Sequence, residues 1–368
     1  MPTASIDVLI PVFNAAATLD QSLASIAGQT FHDIRILIVD DGSNDDSPIR
    51  LAAWAARDPR IELIRRPNGG IVSALNQGLE HCTAPYLARF DADDIAFPER
   101  LARQHAYLEA NQRCIAVGCA VGHIDETGAP ISGLPQPGAP GKGDPERAPA
   151  HEPYIVHPFL MARREAVVAV GGYRYVPNSE DSDLYWRLAE TGELHNLEEV
   201  LGQYRVHGHS VSSASVVNGR IMAIGSQLGA LSARRRRIGQ SDLRFEPEAH
   251  SALRNAQILE EMCSYAETQL RPDEIPRFRL AVAIKLLELA AYRPFALQVT
   301  DSAFVRRSLA HARLFSAQNR KEIRWHVTET ARRLLLGGDF DVAFSLTPPD
   351  LYPRILAKLL AAWPSFLA

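Results

Sequence analysis

The chain has 368 residues, 46% hydrophobic and 22% charged, enough apolar material for the cores of two domains or of one with a large extension. Its formal net charge of -4 gives no general attraction to nucleic acid. The four cysteines (Cys82, Cys114, Cys119 and Cys263) are scattered, with no Cys-Xaa-Xaa-Cys pair, and read as reduced, mostly buried thiols of a cytoplasmic protein, not a disulfide frame or a zinc site. No secretory leader and no membrane-crossing apolar run is read, so a cytoplasmic protein is expected.

Ile6 to Phe13 is an apolar, β-branched run without turn signals before Asn14, and predicts a buried strand. Pro11 cannot donate to a ladder and belongs where that strand leaves the sheet. A helical pattern (Leu19, Leu23, Ile26) ends near Gly28. The second strand, Ile34 to Val39, runs into Asp40-Asp41-Gly42-Ser43, with Asp45 or Ser43 placed to cap the next helix. Ile61 to Ile64 is a third strand, and Asn68-Gly69-Gly70 turns into a helix with Val72, Leu75 and Leu79. The fourth strand, Tyr86 to Ala88, leads to Phe90-Asp91-Ala92-Asp93-Asp94, after which Pro98 opens a helix. This alternation predicts an α/β fold with a mostly parallel sheet flanked by helices. The turns after the second and fourth strands then share the carboxyl edge of the sheet, where nucleotides bind.

Three carboxylates within four residues repel one another, and a cation is the usual remedy. Taken alone, the same residues could be a solvated turn capping a helix. Neither a phosphate loop nor Gly-Xaa-Gly-Xaa-Xaa-Gly is present, so a diphosphate at this edge would need a bridging cation.

Further on, Ile115 to Val121 reads as a strand and Gly133 to Pro149 as a surface loop dense in Gly and Pro. His157 to Met161 is expected to be a short strand, with His157 in a packing role, before a helix from Arg163 to Val170. Gly171-Gly172-Tyr173 turns the chain towards Glu180-Asp181-Ser182-Asp183, where Asp183 is expected to cap the helix carrying Leu184, Trp186 and Leu188. From about Ser215 the patterns are helical, including Ala252 to Leu270, Val305 to Phe315 and Ile323 to Leu336. Two domains are therefore expected, 1–214 and a helical extension, 215–368, that packs on the first or dimerises. The run Arg234 to Arg237 is either a solvated helix end or a contact for anionic lipid or phosphate. Leu351 to Leu367 either docks on the body of the protein or lies at a membrane surface as a peripheral contact.

These residues recur in a known order. Val8-Leu9-Ile10-Pro11-Val12-Phe13-Asn14, Gln29-Thr30-Phe31, Asp40-Asp41-Gly42-Ser43 and Asn68-Gly69-Gly70 come first. Asn76-Gln77-Gly78, Asp91-Ala92-Asp93-Asp94, Gly171-Gly172-Tyr173, Glu180-Asp181 and Tyr204-Arg205-Val206-His207 follow. In series they resemble the family 2 glycosyltransferases, of GT-A fold, over roughly Ile6 to Ser213. The resemblance implies that Pro11, Asn14 and Asp41 border the nucleoside and that Asp91 approaches the ribose or the metal. It implies that Asp93 and His207 hold a divalent cation, Mn2+ or Mg2+. It also implies Asp181 as the base that deprotonates the acceptor hydroxyl, with Glu180 tuning it. Asp94 is expected to cap or orient the loop. The expected partners are a nucleotide-sugar donor, UDP-sugar first, and a glycan or lipid-linked saccharide acceptor, with inversion at the anomeric carbon. A catalytically silent sugar-nucleotide-binding or scaffold protein is the alternative.

Overall fold

A computed structural model describes residues 4–134, 136–206, 215–293 and 295–362. They divide into two compact units. The first gathers Met1–Gly143, Glu152–Arg174 and Glu180–His207; the second gathers Asp144–His151, Tyr175–Ser179 and Gly208–Ala368.

The first unit starts with β1 (Ile6–Val12), α1 (Leu19–Ala27), β2 (Ile34–Asp40), α2 (Ser47–Arg57), β3 (Ile61–Arg65), α3 (Ile71–His81) and β4 (Tyr86–Arg89). β5 (Ile95–Ala96), α4 (Arg100–Ala110), β6 (Cys114–Ile124) and β7 (Pro130–Ile131) follow, then β8 (Met161–Arg163), α5 (Arg164–Ala169), α6 (Glu180–Ala189) and β9 (Glu193–Arg205). The strands form one sheet in the order β3-β2-β1-β4-β8-β6-β9-β5, with β7 beside β6. β1 to β4 pair in parallel, as the βα alternation requires. Beyond β4 the sheet is mixed, because β8 runs antiparallel to both β4 and β6. The core beneath it is built from the apolar faces of β1, β2, β4 and β6 with Leu19, Leu23, Leu101 and Phe159. Each such side chain, fully buried, contributes about 1.5–3 kcal/mol.

Local chemistry explains where pattern reading and structure part. His157–Phe159 is a 3-10 turn, because Pro158 cannot donate to a ladder, and only Met161–Arg163 pairs as strand. The residues after Asp94 make β5 before α4 begins, since Ile95 and Ala96 pair with Gln203 and Gly202 of β9. A Cβ on Gly202 would lie 2.2 Å from Phe159 Cε1, so a side chain there would force β9 off the core. The Gly/Pro-rich loop is tethered: Gln136 Nε2 donates to the Val121 carbonyl (2.7 Å) and Asn196 Nδ2 to that of Gly138 (2.8 Å).

The second unit is helical: α7 (Val216–Arg237), α8 (Glu248–Asn255), α9 (Leu259–Glu267), α10 (Ile275–Leu289), α11 (Val299–Ser308), α12 (Ala317–Leu336), α13 (Phe340–Leu346) and α14 (Tyr352–Ala362). It has its own core, in which α7, α10 and α12 bury Ile224, Leu228, Ile284, Leu287, Ile323 and Val327. The stretch Ala252 to Leu270 is two helices, with an extended Ala256 ending the first. Val305 to Phe315 passes from α11 into 3-10 turns at Leu309. Leu351 and Ile355 dock into this core. Of the Arg234–Arg237 run, Arg237 is exposed while the other three are engaged by carboxylates. Arg235 is buried against Glu274, Arg234 pairs with Glu146 at 2.7 Å and Arg236 with Asp242 at 2.8 Å. Among the described residues, no helix is long and apolar enough to cross a membrane.

Candidate active site

The carboxyl ends of β1, β2 and β4 carry the first half of the site. Leu9 C=O accepts the Phe90 N–H (3.1 Å), and the β1–β4 register ends at Leu9 with Arg89. By strand alternation Pro11 faces that same side beyond the end of the ladder, where its missing N–H is harmless. Asn14 follows at φ 51°, its Oδ1 accepting the Asn44 N–H at 2.9 Å and its own N–H reaching Ser43 Oγ at 3.0 Å. Asp40 Oδ1 accepts the Ser43 N–H, so it serves the turn. Asp41 is buried, and its carboxylate accepts the backbone N–H groups of Gly69 (3.0 Å) and Gly70 (2.8 Å) and pairs with Arg66 (3.1 Å). The Asn68-Gly69-Gly70 turn is thereby bound to the end of β2.

Past β4, carboxylate oxygens of Asp91, Asp93 and Asp94 lie within 4.8 Å of one another. Their loop is held from several sides. Ser22 Oγ donates to the Asp91 carbonyl (2.8 Å) and Thr18 Oγ1 to that of Ala92 (3.0 Å). Gln29, fully buried, donates to the Phe97 carbonyl (2.8 Å) and accepts the Leu101 N–H (3.0 Å). Arg205, at the end of β9, gives its backbone N–H to Asp94 Oδ1 (2.7 Å) and its Nε to the Asp93 carbonyl (2.7 Å). Asp94 thus orients the loop with one oxygen. The other, Oδ2, is buried and has no hydrogen-bond partner among the described residues. Burial, then Asp93 and Asp91, push the Asp94 carboxyl well above the usual range. An oxygen-only donor set with an orphaned buried oxygen fits a hard divalent cation. His207 and His209 lie outside the described residues.

The second half is the start of α6. Glu180 and Asp181 keep partial solvent access, and Asp181 Oδ1 accepts the Ser182 N–H at 2.7 Å. Burial and then Asp181 push the Glu180 carboxyl up to about 7, and burial also raises Asp181. Glu152, bonded to the Ser182 hydroxyl, adds to the negative charge around Asp181. Asp183 does not cap α6. It is fully buried and ion-paired to Arg174 and Arg187, while Arg187 also donates to the carbonyls of Val170 and Gly172 (2.7 Å each). Asn76 binds both the N–H and the carbonyl of Tyr173 (2.9 and 2.8 Å), tying α3 to the same turn.

Between the two acidic groups stands Arg89, only 3% exposed and paired with Asp91. Burial, the largest influence, weakens its hold on the proton, but Asp91, Tyr173 and Asp94 together outweigh it and raise its pKa. Its charge also reaches Glu180 and Asp181. Below it His157 Nε2 meets the Tyr173 hydroxyl at 2.9 Å, and burial followed by Arg89 holds that imidazole neutral. His157 packs, as expected. The sequence pattern carries no role for Arg89 or Glu152, and gives Arg205 a place in a motif without one. A lone arginine inside an apolar strand was the available signal for the first.

Residues 7–171 match the profile of Glycosyl transferase family 2. The chain is 34% identical over 211 residues to EpsE of Bacillus subtilis (strain 168), covering 54% of this chain and 72% of that one. It is 31% identical over 210 residues to the amylovoran biosynthesis glycosyltransferase AmsE of Erwinia amylovora, covering 56% and 77%. The chain belongs to glycosyl transferase family 2. It is a glycosyltransferase, and its sheet with flanking helices is of GT-A type with a helical C-terminal region. It is also 29% identical over 215 residues to the O-antigen biosynthesis glycosyltransferase WbnJ of Escherichia coli, covering 57% and 83%. Among solved structures it resembles the mannosyltransferase PcManGT of Pyrobaculum calidifontis in complex with GDP-Man and Mn2+. That likeness has 17% identity, covers 95% of this chain and 88% of that one, and has a TM-score of 0.49.

Proposed function

We propose that the protein is a divalent-metal-dependent, inverting glycosyltransferase that moves a sugar from a nucleotide-sugar to a hydroxyl of a glycan or lipid-linked saccharide. The observation that carries this reading is the pairing, across buried Arg89, of a three-carboxylate cluster with a partly accessible carboxylate pair. Asp91 and Asp93, with Asp94 behind them and His207 as a further candidate ligand, would hold Mn2+ or Mg2+. The ion supplies positive charge against that developing on the departing diphosphate. Pro11, Asn14 and Asp41 border the nucleoside; with both Asp41 oxygens holding the Gly69-Gly70 turn, it shapes that wall through the turn as well.

Asp181 is the base. As the acceptor oxygen bonds to the anomeric carbon, the bond from that carbon to the phosphate oxygen breaks. The electron pair leaves with the diphosphate and the hydroxyl proton passes to Asp181. Glu180 retains the pair's shared proton longer, because the Ser182 N–H favours charge on Asp181. The names of AmsE and WbnJ, in amylovoran and O-antigen biosynthesis, support a glycan acceptor.

UDP is the first nucleotide to test, beside GDP and dTDP, by calorimetric titration with and without Mn2+. Tight binding of one nucleotide only when the metal is present is the expected result and names the donor class. Equal affinity with and without metal would remove the cation from the reading, and absence of binding by all three would remove the nucleotide site.

A further inference from the structure

Towards the end of the helical unit, an apolar face is exposed among the described residues. Phe340 and Phe344 stand one turn apart on α13, 54% and 53% exposed, while Ala343 and Leu346 on the other side of that helix are buried. Leu356 of α14 is 57% exposed, one turn beyond Tyr352, while Leu351 and Ile355 are buried. The Phe344 and Tyr352 rings lie 6.5 Å apart, which joins the two helices into one continuous face.

We infer that this face is a docking surface for a lipid membrane, lying in the headgroup region with Phe344, Tyr352 and Leu356 inserted. Three observations favour lipid over a second copy of the chain. Half-exposed Phe340, Phe344 and Leu356 with part-buried Tyr352 offer at most roughly 400 Å², whereas a stable interface takes about 800 Å² from each partner. The face is made of aromatic and aliphatic side chains, the composition that settles at a membrane interface. Residues 351–368 carry Arg354 and Lys358 and no acidic side chain, and exposed Arg354 has no ion-pair partner among the described residues. Lys358 is engaged with Glu329 at 3.3 Å, so Arg354 is the residue left to meet an anionic headgroup. Asp339 and Asp341 border Phe340, which makes the α13 start the weaker edge of the surface.

Vesicle co-sedimentation of the full chain tests this without any need for turnover. Vesicles of phosphatidylethanolamine with phosphatidylglycerol should carry the protein down, and phosphatidylcholine vesicles should do so less well. The double variant Phe344→Asp, Leu356→Asp should bind roughly tenfold or more weakly, with unchanged circular dichroism and melting temperature. Arg354→Glu, a surface change that leaves the core intact, should weaken binding to the anionic vesicles by roughly fivefold or more and leave phosphatidylcholine binding alone. Failure of the parent protein to bind any vesicle, or full binding by the folded double variant, would overturn the inference. So would a dimer in sedimentation velocity that the double variant abolishes while vesicle binding persists, because the face would then belong to a second copy.

Discussion

Arg89 sits where three negative groups would otherwise repel one another unopposed. Its pairing with Asp91 stands between the groups proposed to handle the donor and those proposed to handle the acceptor. Arg89→Met keeps much of the volume and removes the charge. Because Asp91 is 29% exposed and screened by water, the loss of stability should be about 2–3 kcal/mol, below the ~3–5 kcal/mol of a fully buried pair. Urea unfolding measures this, and an unchanged midpoint would mean that the guanidinium does no electrostatic work there. At the other carboxylate pair the sign is set by burial. Glu180 holds its proton up to about 7 in the folded chain, above its ordinary 4.5. Between those values the folded state binds more protons, so stability falls as pH rises through the window. Glu180→Gln should flatten the melting-temperature profile there; a profile as steep as the parent's would place the titration elsewhere. Asp181→Asn should leave metal-dependent nucleotide binding in place and lower transfer by about 10²–10⁴-fold. Unchanged turnover would take the base role away from Asp181.

At the scale of elements, several short motifs that carry no chemistry turn out to be the supports of those that do. Gln29-Thr30 grips the exit of the acidic loop at Phe97 and Pro98. Asn76 substitutes for a strand neighbour of Tyr173. Arg100 lies buried over the rings of Phe90 and Phe159, at 5.3 and 4.7 Å, and donates to the Arg89 carbonyl at 2.7 Å. Gln29→Leu would strand the buried N–H of Leu101 and leave the Phe97 carbonyl with the Arg100 N–H alone, and should destabilise by about 1–3 kcal/mol. Calorimetric melting checks the size, and a loss below 1 kcal/mol would mean that water or a shifted loop replaces the amide. The strands and helices of the first half were readable because each shows an apolar period and a turn signal. β5 and β9 were not: β5 is two residues long, and the β6–β9 pairing is interrupted by bulges that spoil any alternation.

On the scale of the molecule, two cores are built from separate sets of residues, and the chain enters the helical unit three times. Ligand binding to the first unit should register as added stability by mass action. Mn2+ and the cognate nucleotide together, at about a hundred times the dissociation constant, should add about 2.7 kcal/mol, while either alone adds little. Equal shifts from nucleotide alone would count against the carboxylate cluster as a metal site. The amino-acid sequence by itself determined the βα alternation, the acidic edge and the order of motifs that marks the family, because these depend on local periodicity and on residue types at fixed spacing. Tertiary structure alone decided which charges meet. Arg235, at the end of α7, became internal because Glu274, 39 residues further along the chain, was brought beside it. Pairing of that kind depends on long-range contacts, which leave no period in a sequence.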